Sequence, residues 1–326
     1  MNKTKRLDAV LKGKEPDRPP ICMWYHFGNQ HGSGKKYADI VLEWFEHYDF
    51  DFLKLMNDYY YPMPDGLEEL KSAEDLARLE PFEPDTCAWK EQLKAVKRVA
   101  AALEGKAYFV DTLFDPWQCL VKGLAGEHLP TLVRTAPDAV KKALDVVADN
   151  LAAYARKSLG LGASGIFLSV LAARDQLERD LFLEFVKPPA VKLLSAIQDL
   201  GPMNTVHLHG IGLYTEDVLD FPARILSWED RREGNPGLEE MKQRWPGVVM
   251  GGIDIGQVIG VTPARCRDNV REGLRLGGSS RFILANGCSV PTWMDAAAIA
   301  AMVDTAKGAG LPKHPRKPGK PAPARA

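Results

Sequence analysis

Eight short apolar runs, rich in β-branched and aromatic residues, recur along this chain, and most are parted by longer segments of helical periodicity. The runs are Pro20–Trp24, Asp51–Met56, Ala107–Leu113, Gly165–Val170, Asn204–His209, Ala223–Trp228, Val248–Asp254 and Arg281–Gly287. Amphipathic helix patterns lie between them at Tyr37–Tyr48, Ala88–Leu103, Pro137–Leu159 and Thr262–Leu276. The segment Ala173–Leu200 is helical in pattern, but Lys187-Pro188-Pro189 should break or kink it. Gly160, Gly201 and Gly277 stand where helices should end. Strands alternating with helices pair in parallel through right-handed crossovers. Eight such units in about 300 residues fit an α/β (β/α)8 TIM barrel better than a doubly wound sheet. No glycine-rich phosphate fingerprint follows the first run, which weakens the dinucleotide-fold alternative further.

At 326 residues and 45% hydrophobic content the chain can bury one large core. We expect a single barrel domain over residues 1–310. A basic, proline-rich tail over 311–326 has almost nothing to bury and reads as disordered. A net charge of −1 gives no reason to expect nucleic acid as a partner. No run approaches the roughly 20 apolar residues of a membrane span, and the N-terminus has no apolar signal region. The five cysteines are odd in number and scattered, without a CxxC pair. They read as free thiols in a reducing compartment, so a cytoplasmic protein is expected.

Barrels of this kind build their active sites at the C-terminal ends of the strands. The residues just past each run therefore belong together: Trp24, Tyr25 and His26; Asn57 and Asp58; Asp111 and Asp115; Ser169, Arg174 and Asp175; His207 and His209; Glu229; Asp254; and Cys288. His26 is a candidate general base, metal-supporting group or substrate donor, or simply a loop histidine. Tyr59, the first of three consecutive tyrosines, suits the wall of a pocket or the packing of a loop on the rim. Trp24 and Trp228 are candidate substrate contacts. Asp254 is either an acid at the mouth or a helix cap.

The sharpest of these features is "NTVHLHG", residues 204–210, in a chain with only seven histidines. Along a strand, positions i and i+2 point to one side and lie roughly 6.5–7 Å apart, close enough for two imidazoles to converge on one ion. Val206 and Leu208 would then face the helix layer. Cys288, at the end of the eighth run, can reach the same mouth. A His, His, Cys set suits zinc and leaves one position open, with Glu229 as a displaceable fourth ligand or as the acceptor that orients His209. Spacing alone does not decide it, because satisfied histidines and small buried cysteines are commoner than ligands.

Several stretches, in order, resemble the uroporphyrinogen decarboxylase-like superfamily: "RLDAVLKGKEPDRPPICMW", "YDFDFLKLMNDY", "HLHG", "ILSWEDRREGNPGLEE", "GGID", "GVTPARCRDNVREGL" and "FILANGCSVPTW". The resemblance covers nearly the whole chain up to the tail. It implies the same barrel, and either a metal-free decarboxylase or a cobalamin-linked methyltransferase. In the methyltransferase branch a zinc ion is held by an H-x-C strand end and a later GC cysteine. His207 matches the first ligand and Cys288 the last, while His209 stands where that branch usually has cysteine. The decarboxylases carry an arginine-containing "MRQAGR" segment after the first strand. Here the equivalent is "MWYHFGNQ", residues 23–30, with no arginine to clamp a polycarboxylate. Asp58 sits where those enzymes have their essential aspartate.

The expectation is therefore a zinc-dependent methyltransferase. It would move a methyl group between a small thiol, methoxy or methylamine substrate and a corrinoid, cobalamin, carried on a separate protein. Asp58, His26 and Glu229 are its candidate catalytic groups. The alternatives are a decarboxylase of a small acid other than uroporphyrinogen, with Asp58 or His26 handling the proton, and a metal-dependent hydrolase.

Overall fold

A computed structural model describes residues 1–29 and 31–308; the expected tail lies outside the described residues. Eight strands, β1 Ile21–Cys22, β2 Phe52–Leu55, β3 Tyr108–Phe114, β4 Gly165–Leu171, β5 Thr205–His209, β6 Ile225–Trp228, β7 Val248–Ile253 and β8 Phe282–Asn286, fall within or beside the eight runs. All ladders are parallel, in the order β1-β8-β7-β6-β5-β4-β3-β2, which is the (β/α)8 barrel. No described helix is long and apolar enough to cross a membrane.

The seam between β1 and β2 is closed mainly by one side chain. Asp51 N–H donates to the Ile21 carbonyl at 2.9 Å, and the Asp51 carboxylate accepts from Ile21 N at 2.8 Å. That carboxylate also binds Arg6 Nη1 and Arg18 Nη1, each at 2.6 Å, in a buried setting. Arg6 belongs to α1, Lys3–Leu11, whose N-cap Asn2 accepts from Lys5 N. Leu7, Val10 and Leu11 of α1 plug the barrel floor against inward residues such as Phe52, Val110, Ile225 and Ile283. Removing the carboxylate leaves two arginines without their buried partner, so Asp51→Ala is expected to cost about 3 kcal/mol in urea unfolding. A loss below about 1 kcal/mol would show that the seam does not depend on this clamp.

The barrel helices are α2 Gly34–Tyr48, α3 Trp89–Leu103, α4 Pro137–Gly160, α5 Lys187–Ser195, α6 Leu238–Arg244, α7 Pro263–Gly277 and α8 Ala296–Gly308. The connection from β5 to β6 holds no α-helix, only a 3-10 turn at Thr215–Asp217. Segment 173–200 is interrupted at the prolines, as expected, but by a local widening of the helix rather than by its end. Helix starts only at Arg179, widens to a π-turn over Phe182–Val186, and resumes at Lys187. Pro188 and Pro189 thereby fall in the first turn of α5, where a missing N–H leaves no helical bond unmade.

Candidate active site

Strand alternation sorts the mouth. On β5, Val206 and Leu208 are fully buried in the core shared with the helices, as their phase requires, and His207 and His209 face the barrel interior. Cys288 arrives from just past β8. One ligand atom each from His207, His209 and Cys288 lie within 4.8 Å of one another, the one such group among the described residues. Cys288 Sγ is 3.7 Å from His209 Nδ1. Tetrahedral zinc with ordinary Zn–N and Zn–S bonds would hold such a pair about 3.6 Å apart. The donor set and its spacing therefore fit that ion.

Glycines follow or precede the ligands for steric reasons. Gly210, after His209, has φ +117°, and a Cβ there would sit 2.5 Å from the Ala173 side chain. Gly287, before Cys288, has no room for a Cβ beside the Glu229 backbone, 2.8 Å away.

The electrostatics prepare neutral imidazoles. Burial, then the neighbouring His209, push His207 well below its ordinary pKa, and burial with Lys122 lowers His209. Ser227 Oγ lies 3.2 Å from His207 Nδ1 and fixes that ring from β6, leaving the other nitrogen for a ligand. Burial and the Glu229 carboxylate raise the Cys288 thiol, so an ion there has to compete with a proton.

Asp58 and His26 form a dyad. His26 Nδ1 is 2.6 Å from Asp58 Oδ1, and Gly28 N donates to Asp58 Oδ2 at 3.0 Å. Burial works to raise the Asp58 pKa, but the His26 hydrogen bond and charge, with the Gly28 N–H and the Lys54 charge, outweigh it and the net shift is downward. Around the dyad lie two connected chambers. The inner one, about 100 Å³, is lined by Trp24, Lys54, Thr112, Phe167, the three candidate ligands and others. The outer one, about 320 Å³, is walled by Tyr59, Tyr60, Tyr61, Phe114 and Cys119. His26, Phe114, Gln118 and Lys122 line both and mark the junction. Tyr59 is anchored by donating its hydroxyl to Gly32 O at 2.9 Å.

Other expected residues lie elsewhere. Trp228 is fully buried in the outer core and donates Nε1–H to Pro236 O at 2.7 Å. Its strand phase turns it toward the helices, away from substrate. Asp254 caps the short helix after β7, accepting from Gly256 N at 2.9 Å, and lines neither chamber. Asp111 is fully buried on the outward phase of β3 and accepts from Gln92, Tyr154 and Ser158, so it supports the barrel rather than the mouth. Asp115 accepts from Gln118 N and Leu171 N, bracing the loop after β3. Glu229 packs against the chain at Gly287, and burial raises its pKa; it makes no hydrogen bond to His209 and stands outside the ligand cluster.

Sequence reasoning missed Lys54. It is 3% exposed, and its ammonium lies 3.0 Å from Thr112 Oγ1, 4.3 Å from the Phe167 ring centre and 5.2 Å from that of Trp24. Burial pushes its pKa down to about 7. The signal was present: Phe52, Lys54 and Met56 share one strand phase, and their neighbours place that phase inside.

An eight-stranded parallel barrel with a His, His, Cys donor set and an acid–base dyad at its C-terminal mouth is an enzyme-like scaffold of a well-populated class. The family model described as uroporphyrinogen decarboxylase (URO-D) matches residues 2–309, and the chain belongs to that family. No curated protein matches the sequence. Among solved structures, it is similar to a methyltransferase from Methanosarcina mazei, with TM-score 0.79 and 17% identity over 94% of this chain and 98% of that one. A putative vitamin-B12-independent methionine synthase from Listeria monocytogenes aligns with TM-score 0.57 and 12% identity, over 84% of this chain and 86% of that one. At these identities the likeness is one of fold.

Proposed function

We propose that this protein is a zinc-dependent methyltransferase, moving a methyl group between a small substrate and a corrinoid carried on a separate protein. The observation that carries the reading is the convergence of His207, His209 and Cys288 at the barrel mouth, with one donor pair 3.7 Å apart. These three residues would hold the ion, which when bound supplies Lewis acidity that lowers the pKa of a substrate heteroatom. Asp58 takes the Nδ1 side of His26, so His26 Nε2 is the nitrogen free to accept or return the substrate proton at the junction of the chambers. The aromatic outer chamber holds the substrate body. Tyr60 and Trp293, both exposed on loops past β2 and β8, offer apolar contacts to a protein docking over the mouth.

A decarboxylase of a small acid is the second reading, favoured by the same His26–Asp58 dyad. Among the described residues no arginine lines either chamber, which argues against a polycarboxylate porphyrinogen.

The test is methyl transfer between methylcobalamin and a panel of thiols, and from methoxy and methylamine donors to the reduced corrinoid. Zinc-dependent turnover is expected with one class, with His26→Ala lowering kcat by about 10²–10⁴-fold. Equal activity of metal-free protein, or no transfer with any partner while a small acid is decarboxylated, would end the methyltransferase reading.

A further inference from the structure

Methyl transfer leaves one buried group without a task. Lys54 points up from β2 into the inner chamber, and among the described residues no carboxylate pairs with it. Its hydrogen-bonding partners are the Thr112 hydroxyl, itself committed to the Leu55 carbonyl at 2.8 Å, and the Met56 sulfur. Aromatic faces of Phe167 and Trp24 supply the rest of its surroundings. A structural lysine in a barrel core would be expected to carry a carboxylate partner or to reach water along its stem. This one does neither, and it borders a cavity large enough for a molecule of a few heavy atoms.

We propose that Lys54 is a nucleophilic amine that condenses with small oxo acids to form an imine on the floor of the inner chamber. The Nζ lone pair attacks the carbonyl carbon as the C=O π pair moves to oxygen. A proton passes from nitrogen to that oxygen, the carbinolamine loses water, and the C=N bond forms; no oxidant, reductant or metal is required. The partner for the acid's carboxylate is Lys122, which lines the same chamber, lies over the Phe114 ring at 4.6 Å and, among the described residues, donates only to the uncharged Gln118 Oε1. The desolvated setting that lowers the amine's pKa to about 7 keeps a large fraction neutral at neutral pH, the state that attacks. Thr112 Oγ1, 3.0 Å away, holds Nζ toward the chamber.

This activity goes beyond the methyl-transfer reading, and its test is independent of metal. The full chain, with and without zinc, is incubated with pyruvate, acetoacetate or acetone and reduced with sodium borohydride, then mapped by peptide mass. The expected result is one stable adduct per chain, on the peptide carrying Lys54, with both acids favoured over acetone. Lys54→Arg should lower trapping at least tenfold, and Lys122→Gln should remove the preference for the acids. Thermal melting of Lys54→Met and Lys54→Arg shows that each is folded. Absence of an adduct in the folded parent, or labelling spread over surface lysines and unchanged in Lys54→Arg, overturns the proposal. An acid preference that survives in Lys122→Gln removes Lys122 from it. Methyl transfer assayed on the same preparation reads the other function separately, so failure of one is not failure of both.

Discussion

Cys288→Ala and His207→Ala are expected to purify without zinc, while the parent chain, made without a histidine tag, carries about one ion per molecule. The three donors come from two separate parts of the barrel, β5 and the loop after β8, so loss of either leaves a two-ligand remnant. An ion bound to the folded chain alone stabilises it by about 2.7 kcal/mol at a free concentration one hundred times Kd. The parent should therefore melt several degrees higher with added zinc, and neither variant should respond. Affinity should fall toward acid pH, because the Cys288 proton, held more tightly in its buried site, must leave before sulfur can ligate. His209→Cys makes the complementary test. It adds a second thiolate, so zinc should be held at least as tightly, and the bound ion should be a weaker Lewis acid. Metal analysis and zinc-titrated melting, repeated at lower pH, measure occupancy and affinity, and the rate of methyl transfer reads the Lewis acidity. Zinc retained in both alanine variants, or a parent chain that never takes it up, would sink the assignment.

The fold was legible because its evidence is local and repeated. Each strand announces itself by an apolar run, and seven parallel crossovers leave little choice of architecture. In the α5 region the prolines announced an interruption, but periodicity could not show that it takes the form of a π-turn that delivers them to a first turn. At the site, the i, i+2 histidines were legible because a strand fixes their common face, and Cys288 because it follows another strand. Trp228 was misplaced, and the choice between acid and cap for Asp254 stayed open, for one reason: nearness to a strand end says nothing about which way the side chain turns. Trp228 falls on the outward phase with Leu226, both in the core shared with the helices, whereas Ser227 between them faces His207. Lys54 went unseen for the opposite reason. A charged residue in an apolar run invites assignment to the outer face, although its phase with Phe52 and Met56 puts it inside.

Lys54→Met should make the metal-free protein more stable near neutral pH. The sign follows from the two pKa values: about 10.4 for the unfolded lysine and about 7 in the folded barrel. Below the folded value both states hold the proton, and folding bears the whole cost of enclosing an ammonium that no described carboxylate contacts. Between the two values the unfolded chain binds the proton and the folded chain does not, so parent stability rises with pH. Above the unfolded value the cost is gone. A depression of this size corresponds to roughly 4 kcal/mol at pH 7 and below. Methionine keeps the length and flexibility of the stem among Trp24, Phe167 and Met56, so repacking and the lost Thr112 bond should return only part of that gain. Denaturant unfolding at about pH 6.5 and about pH 9.5 tests it, with the variant ahead by several kcal/mol at the lower pH and by much less at the higher. A variant that is less stable than the parent at both would mean the ammonium is satisfied in the native barrel. A gain confined to low pH would mark Lys54 as a residue held against stability, which chains tolerate where chemistry needs the group.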